Sequence, residues 1–182
     1  YAILDTPAEP DFDDLVLLAA QALDVPIAVI NLIASDRQWF KAQIGLAARE
    51  MPLEVSICTH ALSQDDVLVV PDTRLDDRFA DNPLVTADDG LRFYAGALLR
   101  TPEGIPIGTL CVLDRKPRPG GITDQQRHLL NLLARQATTQ MELRRIVALT
   151  DRRADDLRSI EERYRLAGRA TNDAIWDWDL GT

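Results

Sequence analysis

The sequence predicts an α+β fold, in which a central antiparallel β-sheet carries the terminal helices on one face. Helical periodicities stand near both ends of the chain, and strand-like runs separated by short irregular stretches lie between them. The clearest local signal is a β-hairpin, because the runs Arg92–Arg100 and Ile105–Leu113 flank Thr101-Pro102-Glu103-Gly104. Pro at the second and Gly at the fourth position of such a segment favour a tight turn.

The first predicted element is an amphipathic helix followed by two strands. Apolar residues recur there at helical spacing: Phe12, Leu15, Val16, Ala19, Ala22 and Leu23. The uninterrupted apolar run Ile27–Ile33 predicts a strand covered on both faces. Gln38–Ile44 alternates, and strict alternation places Phe40, Ala42 and Ile44 on one face and Trp39, Lys41 and Gln43 on the other.

The middle of the chain predicts short elements. After an irregular stretch, we expect a short helix near Val55–Leu62 and a strand over Val67–Val70. The Asp-rich segment Asp72–Asp89 predicts a loop with one helical turn near Asp76–Ala80.

The last helix begins at a capping box, since Gln126 follows Thr123 by three positions. Beyond it an apolar stripe narrows to alternating steps of three and four, through Leu143, Ile146, Thr150, Arg153, Leu157, Ile160 and Tyr164. That spacing predicts the seam of a coiled-coil homodimer, although a single solvated helix is the alternative.

Composition limits the function classes. The chain has 182 residues, 46% of them hydrophobic, which fits one domain with extensions. Its net charge of −9 disfavours nucleic-acid binding, and no apolar run approaches the roughly 20 residues of a membrane span. The two cysteines are distant in sequence, so we expect free thiols in a reducing cytoplasm rather than a disulfide. A start at Tyr1 and an end within a Trp-rich run indicate a fragment of a longer protein.

Four segments in order resemble a GAF domain, the small-molecule sensor module of bacterial signalling proteins: Asp36–Gly45, Ser56–Leu62, Val70–Asn82 and Arg92–Asp114. The resemblance implies that one sheet face packs on the terminal helices and the other closes over a ligand cavity. It implies an unidentified small-molecule ligand and no resident cofactor. The implied lining residues are Phe40, Ser56, Cys58, His60, Asp72, Arg78, Phe79, Tyr94 and Cys111.

The end of the chain carries a second resemblance. Tyr164–Thr182 is similar to the opening of a PAS domain, with Trp176 and Trp178 on its first strand. We therefore expect a GAF domain over residues 1–145, a connecting coiled-coil helix over 146–163 and the start of a truncated PAS domain over 164–182. This order is typical of cytoplasmic sensor histidine kinases and occurs in some diguanylate cyclases. It implies a non-catalytic input module whose helix acts on downstream PAS and output domains.

Several alternatives remain for the candidate residues. Metal binding at Cys58 and His60 lacks the three or four ligands that it needs. Bilin attachment in phytochrome-like GAF domains uses a Cys directly followed by His, and here Thr59 intervenes. A thiol enzyme such as a free methionine sulfoxide reductase, and a non-binding dimerisation scaffold, are the alternative functions. Arg78 or Arg92 could hold a phosphate, but ion pairs with the nearby aspartates are favoured.

Overall fold

The computed structural model describes the backbone of residues 1–176 and the side chains of residues 1–167. Four α-helices and six strands follow one another along the chain. They are α1 (Pro10–Leu23), β1 (Ile27–Ile33), β2 (Arg37–Ile44), β3 (Glu50–Pro52), α2 (Cys58–Ala61), β4 (Leu68–Val70), α3 (Pro83–Thr86), β5 (Phe93–Arg100), β6 (Pro106–Asp114) and α4 (Asp124–Trp176). Short 3₁₀ turns at Leu53–Val55 and Thr73–Leu75 precede α2 and α3 respectively.

The six strands form one antiparallel sheet in the order β3-β2-β1-β6-β5-β4. The predicted α+β class with a central antiparallel sheet is thereby confirmed. The predicted hairpin forms its centre together with β1. Its turn closes as expected, since the Gly104 amide donates to the Thr101 carbonyl at 2.8 Å. Gly104 has φ +85°, a backbone conformation that glycine adopts without steric cost.

The sheet separates two hydrophobic cores. On one face, which we call the helix-side core, α1 and α4 pack through fully or nearly fully buried side chains such as Phe12, Val16, Leu23, Leu130, Ala137 and Met141. The opposite face carries the cavity-side core, whose buried members are Ile27, Val29, Phe40, Ile57, Cys58, Ala61, Leu68, Val70, Phe79, Val85, Tyr94, Cys111 and Leu113. β1 contributes to both cores, as its continuous apolar run predicts.

The alternation predicted for β2 is wrong because a β-bulge interrupts this strand. Ile30 pairs with Ala42 but the next residue, Asn31, pairs with Phe40, which leaves Lys41 as the extra residue. One extra residue reverses the facing of everything beyond it. Trp39, Ala42 and Ile44 therefore belong to the helix-side core, and Phe40 belongs to the cavity-side core.

Lys41 occupies the bulge with its side chain fully buried on the helix side. Its ammonium donates to Thr6 Oγ1 at 3.0 Å and to the Pro7 carbonyl at 2.9 Å, and it forms an ion pair with Glu9. The Lys41 Nζ also lies 5.1 Å from the centre of the Phe12 ring. These partners satisfy a buried charge, which would otherwise be costly, and they tie the N-terminal segment to β2.

Other elements differ from the prediction in detail. β3 lies in the stretch predicted to be irregular, and Pro83 begins α3 because Asn82 caps its first turn. The predicted turn at Asp76–Ala80 is present, with the Ala80 amide donating to the Asp76 carbonyl at 3.0 Å. Residues Tyr1–Glu142 form one compact unit.

α4 continues as one helix to Trp176, so the structure places Trp176 in a helix and not in the predicted PAS strand. A helix satisfies its backbone hydrogen bonds internally, whereas a strand needs a neighbouring strand, and none is paired with this segment in the described chain. Trp178 lies outside the described residues. The predicted seam residues Leu143, Ile146, Leu157, Ile160 and Tyr164 are all exposed on this single chain, and their dimer stays a prediction.

Candidate functional site

A cavity of about 220 Å³ lies on the sheet face opposite α1 and α4. Its lining is mostly apolar, with a few polar groups at one side. The lining residues are Val29, Gln38, Phe40, Leu46, Met51, Ile57, Cys58, Pro83, Leu84, Ala87, Asp89, Leu91, Cys111, Leu113 and Arg115. Concave, mostly apolar sites with a small number of polar groups are typical of small-molecule binding.

The floor of the cavity is formed by the sheet. Val29 on β1 and Cys111 on β6 are directly paired across the two central strands, so their side chains share this face. Leu113 follows Cys111 by two positions and therefore projects the same way. Phe40 reaches the floor only because of the bulge at Lys41.

The cover is formed by short helices and loops. α2 contributes Cys58, and α3 contributes Leu84. Asn82 holds these pieces together: its side chain accepts a hydrogen bond from the Leu84 amide at 2.9 Å and donates to the Val55 carbonyl at 3.0 Å. One asparagine thus caps α3 and joins it to the segment that leads into α2.

Polar groups of the lining have defined partners. The Gln38 side chain is buried, and its Oε1 accepts a hydrogen bond from the hydroxyl of Ser56, a buried residue that does not line the cavity. Arg115 Nε is 2.7 Å from a carboxylate oxygen of Asp89 and also donates to the Asp89 carbonyl at 3.2 Å. The Gln38 amide nitrogen and this exposed ion pair are the groups with which a polar ligand atom could exchange hydrogen bonds.

Three of the nine predicted lining residues, Phe40, Cys58 and Cys111, line the cavity. Ser56, Phe79 and Tyr94 are buried on the same side of the sheet without lining it. The imidazole of His60 is not in the cavity: residue 60 is exposed, and its ring meets the edge of Phe79 at 4.9 Å between centroids. Residues two apart on a short helix diverge, so α2 directs Cys58 inward and His60 outward.

Asp72 and Arg78 also lie outside the cavity, and each forms an ion pair. Arg78 binds Asp76 through two nitrogens at 2.8 and 2.6 Å, and Arg92 binds Asp72 at 2.9 and 2.6 Å. The hydrogen bonds from these guanidinium groups hold the pKa values of Asp76 and Asp72 below their ordinary range. Both arginines thus form the ion pairs that were expected as the alternative to phosphate binding.

Sequence reasoning missed most of the cover and one polar group of the floor. Met51, Leu84, Leu91 and Arg115 come from loops or short elements with no periodicity that would assign them to the site. Gln38 could have been found from the sequence, since it precedes Phe40 by two positions on the regular side of the bulge and therefore shares its face.

The two cysteines, distant in sequence, are close in the fold. Both are buried free thiols, and their sulfur atoms are 3.7 Å apart. The Asn31 amide nitrogen lies 3.4 Å from Cys58 Sγ, 3.6 Å from Cys111 Sγ and 2.7 Å from Thr109 Oγ1. The hydrogen bond from the Cys111 thiol lowers the pKa of Cys58 to about 6, against the opposing effect of burial. The same bond raises the pKa of Cys111 well above its ordinary value.

No group of three or more His, Cys, Asp or Glu side chains in the described part of the chain is arranged to hold a metal ion. Within the same described residues, no helix is both long and apolar enough to cross a membrane.

The sheet order, the terminal helices on one face and the covered cavity on the other agree with a match of residues 8–141 to the family model of the GAF domain. This chain belongs to the GAF domain family. A curated relative, a cyclic di-GMP phosphodiesterase of Pseudomonas aeruginosa, is 41% identical over 133 residues, which are 73% of this chain. The match covers 22% of that relative, so the chain spans about a fifth of its length.

Solved GAF-like structures share the fold at low sequence identity. A domain of a two-component sensor histidine kinase protein from Sinorhizobium meliloti superimposes with a TM-score of 0.59 at 20% identity, covering 80% of this chain and 97% of that one. Free methionine-R-sulfoxide reductase from Neisseria meningitidis gives a TM-score of 0.60 at 17% identity, covering 75% and 78%. Likeness at this level of identity shows the fold and not the activity.

Proposed function

We propose that this GAF domain is the sensory input module of a signalling protein and binds a small molecule in the cavity beneath α2 and α3. The observation that carries the proposal is the cavity itself, about 220 Å³ between a rigid sheet and a cover of short elements. The other sheet face is filled by the helix-side core. A cover of short helices and loops can reorganise around a ligand at lower cost than two packed layers can.

The lining indicates the class of ligand. Its volume is below the range of roughly 300–1,000 Å³ that drug-sized ligands occupy. Apolar side chains surround most of the space, and Gln38 supplies amide hydrogen-bond donors at one side. We therefore expect a compact, largely apolar metabolite with one or two hydrogen-bond acceptors. Arg78 and Arg92 lie outside the cavity in ion pairs with aspartates, which argues against a nucleotide. Arg115, the arginine of the lining, is itself paired with Asp89.

The output domain is also part of the proposal. From the sequence we expected a histidine kinase, but the 41% identical relative is named as a cyclic di-GMP phosphodiesterase. This relative supports an output enzyme that acts on cyclic di-GMP, because its identity is far higher than that of the sensor-kinase domain, which supports the fold alone. The chain itself, on this proposal, contributes the input and not the catalytic step.

Signal relay is proposed to run through α4 in a homodimer in the cytoplasm. The seam residues Ile146 and Leu157 expose 56% and 66% of their surface in the single chain, and a second copy of the helix would cover them. Downstream PAS and output domains would then respond to a shift between two arrangements of the paired helices.

Native mass spectrometry of the purified chain tests binding and dimerisation together. We expect a dimeric mass carrying a non-covalent small molecule, or a thermal shift when candidate metabolites are added. In Ala87→Trp the indole enters the mouth of the cavity and should abolish the bound mass and the thermal shift. Ala8→Trp, at another exposed alanine outside the lining, is the matched control and should bind as the wild type does.

The outcomes separate the parts of the proposal. Equal binding by Ala87→Trp and the wild type would place the ligand elsewhere. Absence of binding across a broad metabolite set would support the scaffold alternative. A monomeric mass at the concentration of the experiment would contradict the dimer.

A further inference from the structure

We propose that Cys58 and Cys111 are a redox-reactive pair that hydrogen peroxide or a small hydroperoxide converts into an intrachain disulfide, which small thiols reduce again. This inference goes beyond ligand sensing and does not depend on it. It rests on the placement of two thiols side by side in the cavity lining, where one comes from the cover and the other from the floor.

The two thiols are close enough to form a disulfide after a small movement. The Cys58 and Cys111 sulfur atoms are 3.7 Å apart, so they must approach by about 1.7 Å to reach a disulfide bond length of about 2.05 Å. Cys111 is held in the central strand β6, whereas Cys58 belongs to the four-residue helix α2. The approach therefore requires a movement of the cover and leaves the sheet unchanged.

The groups around the two sulfur atoms favour a thiolate at Cys58. Asn31 directs its amide N–H toward both sulfur atoms, at 3.4 and 3.6 Å, which stabilises negative charge on either of them. Tyr94 is fully buried beside the pair, and burial raises the pKa of its phenol well above the ordinary value. It therefore stays protonated and places no negative charge beside the two sulfur atoms. The lowered pKa of Cys58 marks it as the sulfur that ionises first, and a thiolate is the nucleophile in peroxide reduction.

The cavity gives a small oxidant access to both sulfur atoms. Both cysteines line the cavity although each exposes less than a twentieth of its surface. A peroxide molecule is little larger than water, which takes about 30 Å³ in the liquid, so the cavity admits it. Larger oxidants and protein thiols would be excluded by the cover.

The reaction balances in two steps. The Cys58 thiolate attacks one oxygen of ROOH, which breaks the O–O bond and gives a sulfenic acid and an alkoxide, protonated to ROH. The Cys111 thiol then attacks the Cys58 sulfur, forms the S–S bond and releases water with its own proton and the sulfenic hydroxyl. The peroxide is reduced and the two thiols are oxidised. Two equivalents of a small thiol reverse the oxidation by exchange, giving their own disulfide.

The product would join the cover to the floor covalently. A bond between α2 and β6 closes one side of the cavity and restricts its cover, so we expect the oxidised chain to bind the cavity ligand differently from the reduced one. The oxidation state of the two cysteines and the bound ligand would then both act on α2, which is part of the cover.

The test is mass spectrometry of the whole chain after exposure to a small molar excess of hydrogen peroxide, followed by denaturation in iodoacetamide. We expect a chain lighter by two hydrogens that takes up no alkyl group, with one peptide pair linking Cys58 to Cys111. Treatment with a small thiol before denaturation should restore two alkylation sites. Two alkylated thiols after exposure, or a linkage between chains, would overturn the proposal, and neither readout depends on a variant.

Variants assign the roles. In Cys111→Ser the sulfenic acid at Cys58 has no resolving thiol, so dimedone should trap it. In Cys58→Ser the remaining Cys111 should react with peroxide at least about tenfold more slowly than Cys58 does in the wild type, because it exposes only 1% of its surface in the central strand β6 and because burial, with Cys58 gone, still raises its pKa. Alanine replaces serine if either variant fails to fold. Faster trapping at Cys111 than at Cys58 would reverse the assigned roles and contradict that part of the proposal.

Discussion

The two faces of the sheet bury similar kinds of strand residue but differ in what covers them. The helix-side core packs under α1 and α4, through side chains such as Phe12 and Leu130. The cavity-side core is covered by α2, α3 and loops, and it contains a cavity and the buried polar groups of Asn31, Gln38 and the two thiols. The comparison teaches that long helices supply stability on one face, while short elements on the other leave room for chemistry.

The largest expected difference between the faces concerns two fully buried phenylalanines. Phe12 is on α1 and Phe79 is in the cover, each with 1% of its surface exposed. Phe→Ala in a core costs about 3–5 kcal/mol, and the cost falls where the surroundings can collapse. We expect Phe12→Ala near the top of that range and Phe79→Ala near the bottom, measured by urea unfolding. Equal losses would mean that the cover is as rigid as the helices.

A matched pair of valines gives a smaller difference. Val112 faces the helix-side core with no exposed surface, and Val29 lines the cavity. An added methylene overpacks a filled core and costs about 1–3 kcal/mol. We therefore expect Val112→Ile to lose stability in that range and Val29→Ile to stay within about 0.5 kcal/mol of the wild type. A loss of stability in Val29→Ile as large as that in Val112→Ile would contradict the presence of free space beside Val29.

The smallest expected effect comes from the ion pair that borders the cavity side. Hydrogen bonds from Arg92 hold the pKa of Asp72 below its ordinary value, so the folded chain takes up this proton less readily than the unfolded chain. The resulting stabilisation is complete above the unfolded pKa of about 4 and disappears as the pH falls through the lower folded value.

Asp72→Asn should therefore be less stable than the wild type at pH 7. The loss should be smaller than those expected for the two Phe→Ala variants and for Val112→Ile. The difference should shrink steadily in thermal melts below about pH 4. Asp124→Asn, at a carboxylate in the first turn of α4, is the control for removal of one negative charge. A gap between Asp72→Asn and the wild type that did not change with pH would show that the ion pair contributes nothing.

Much of the fold was predictable because its signals are local. The hairpin turn depends on Pro102 and Gly104. The capping box at the start of α4 is present as predicted: the backbone N–H of Gln126 donates to Thr123 Oγ1 at 3.2 Å, and the side-chain Oε1 of Gln126 accepts from the backbone N–H of Thr123 at 3.0 Å. Each of these depends on residues within a few positions of one another. The resemblance to a GAF domain, now shown, also depended on short motifs in a fixed order.

The candidate site was only partly predictable. Phe40 was correctly assigned to the cavity, although the alternation predicted for β2 was wrong. The bulge at Lys41 is stabilised by hydrogen bonds from its ammonium to Thr6 and Pro7, which are distant in sequence. His60 and Arg78 were assigned to the cavity by their motif segments. The structure directs His60 outward and pairs Arg78 with Asp76. A motif specifies which residues are near a site, and side-chain direction depends on the turn in which each residue lies.

The sequence by itself determined the long helices and strands, the antiparallel class and the family, since periodicity, turn residues and caps act over a few positions. Only the tertiary structure decided the bulge in β2, the loop residues of the cavity cover and the approach of Cys58 to Cys111 across 53 positions. These features arise from contacts between residues far apart in the chain. Local propensity carries no information about such contacts, because their free energy exists only once the sheet and its cover have assembled.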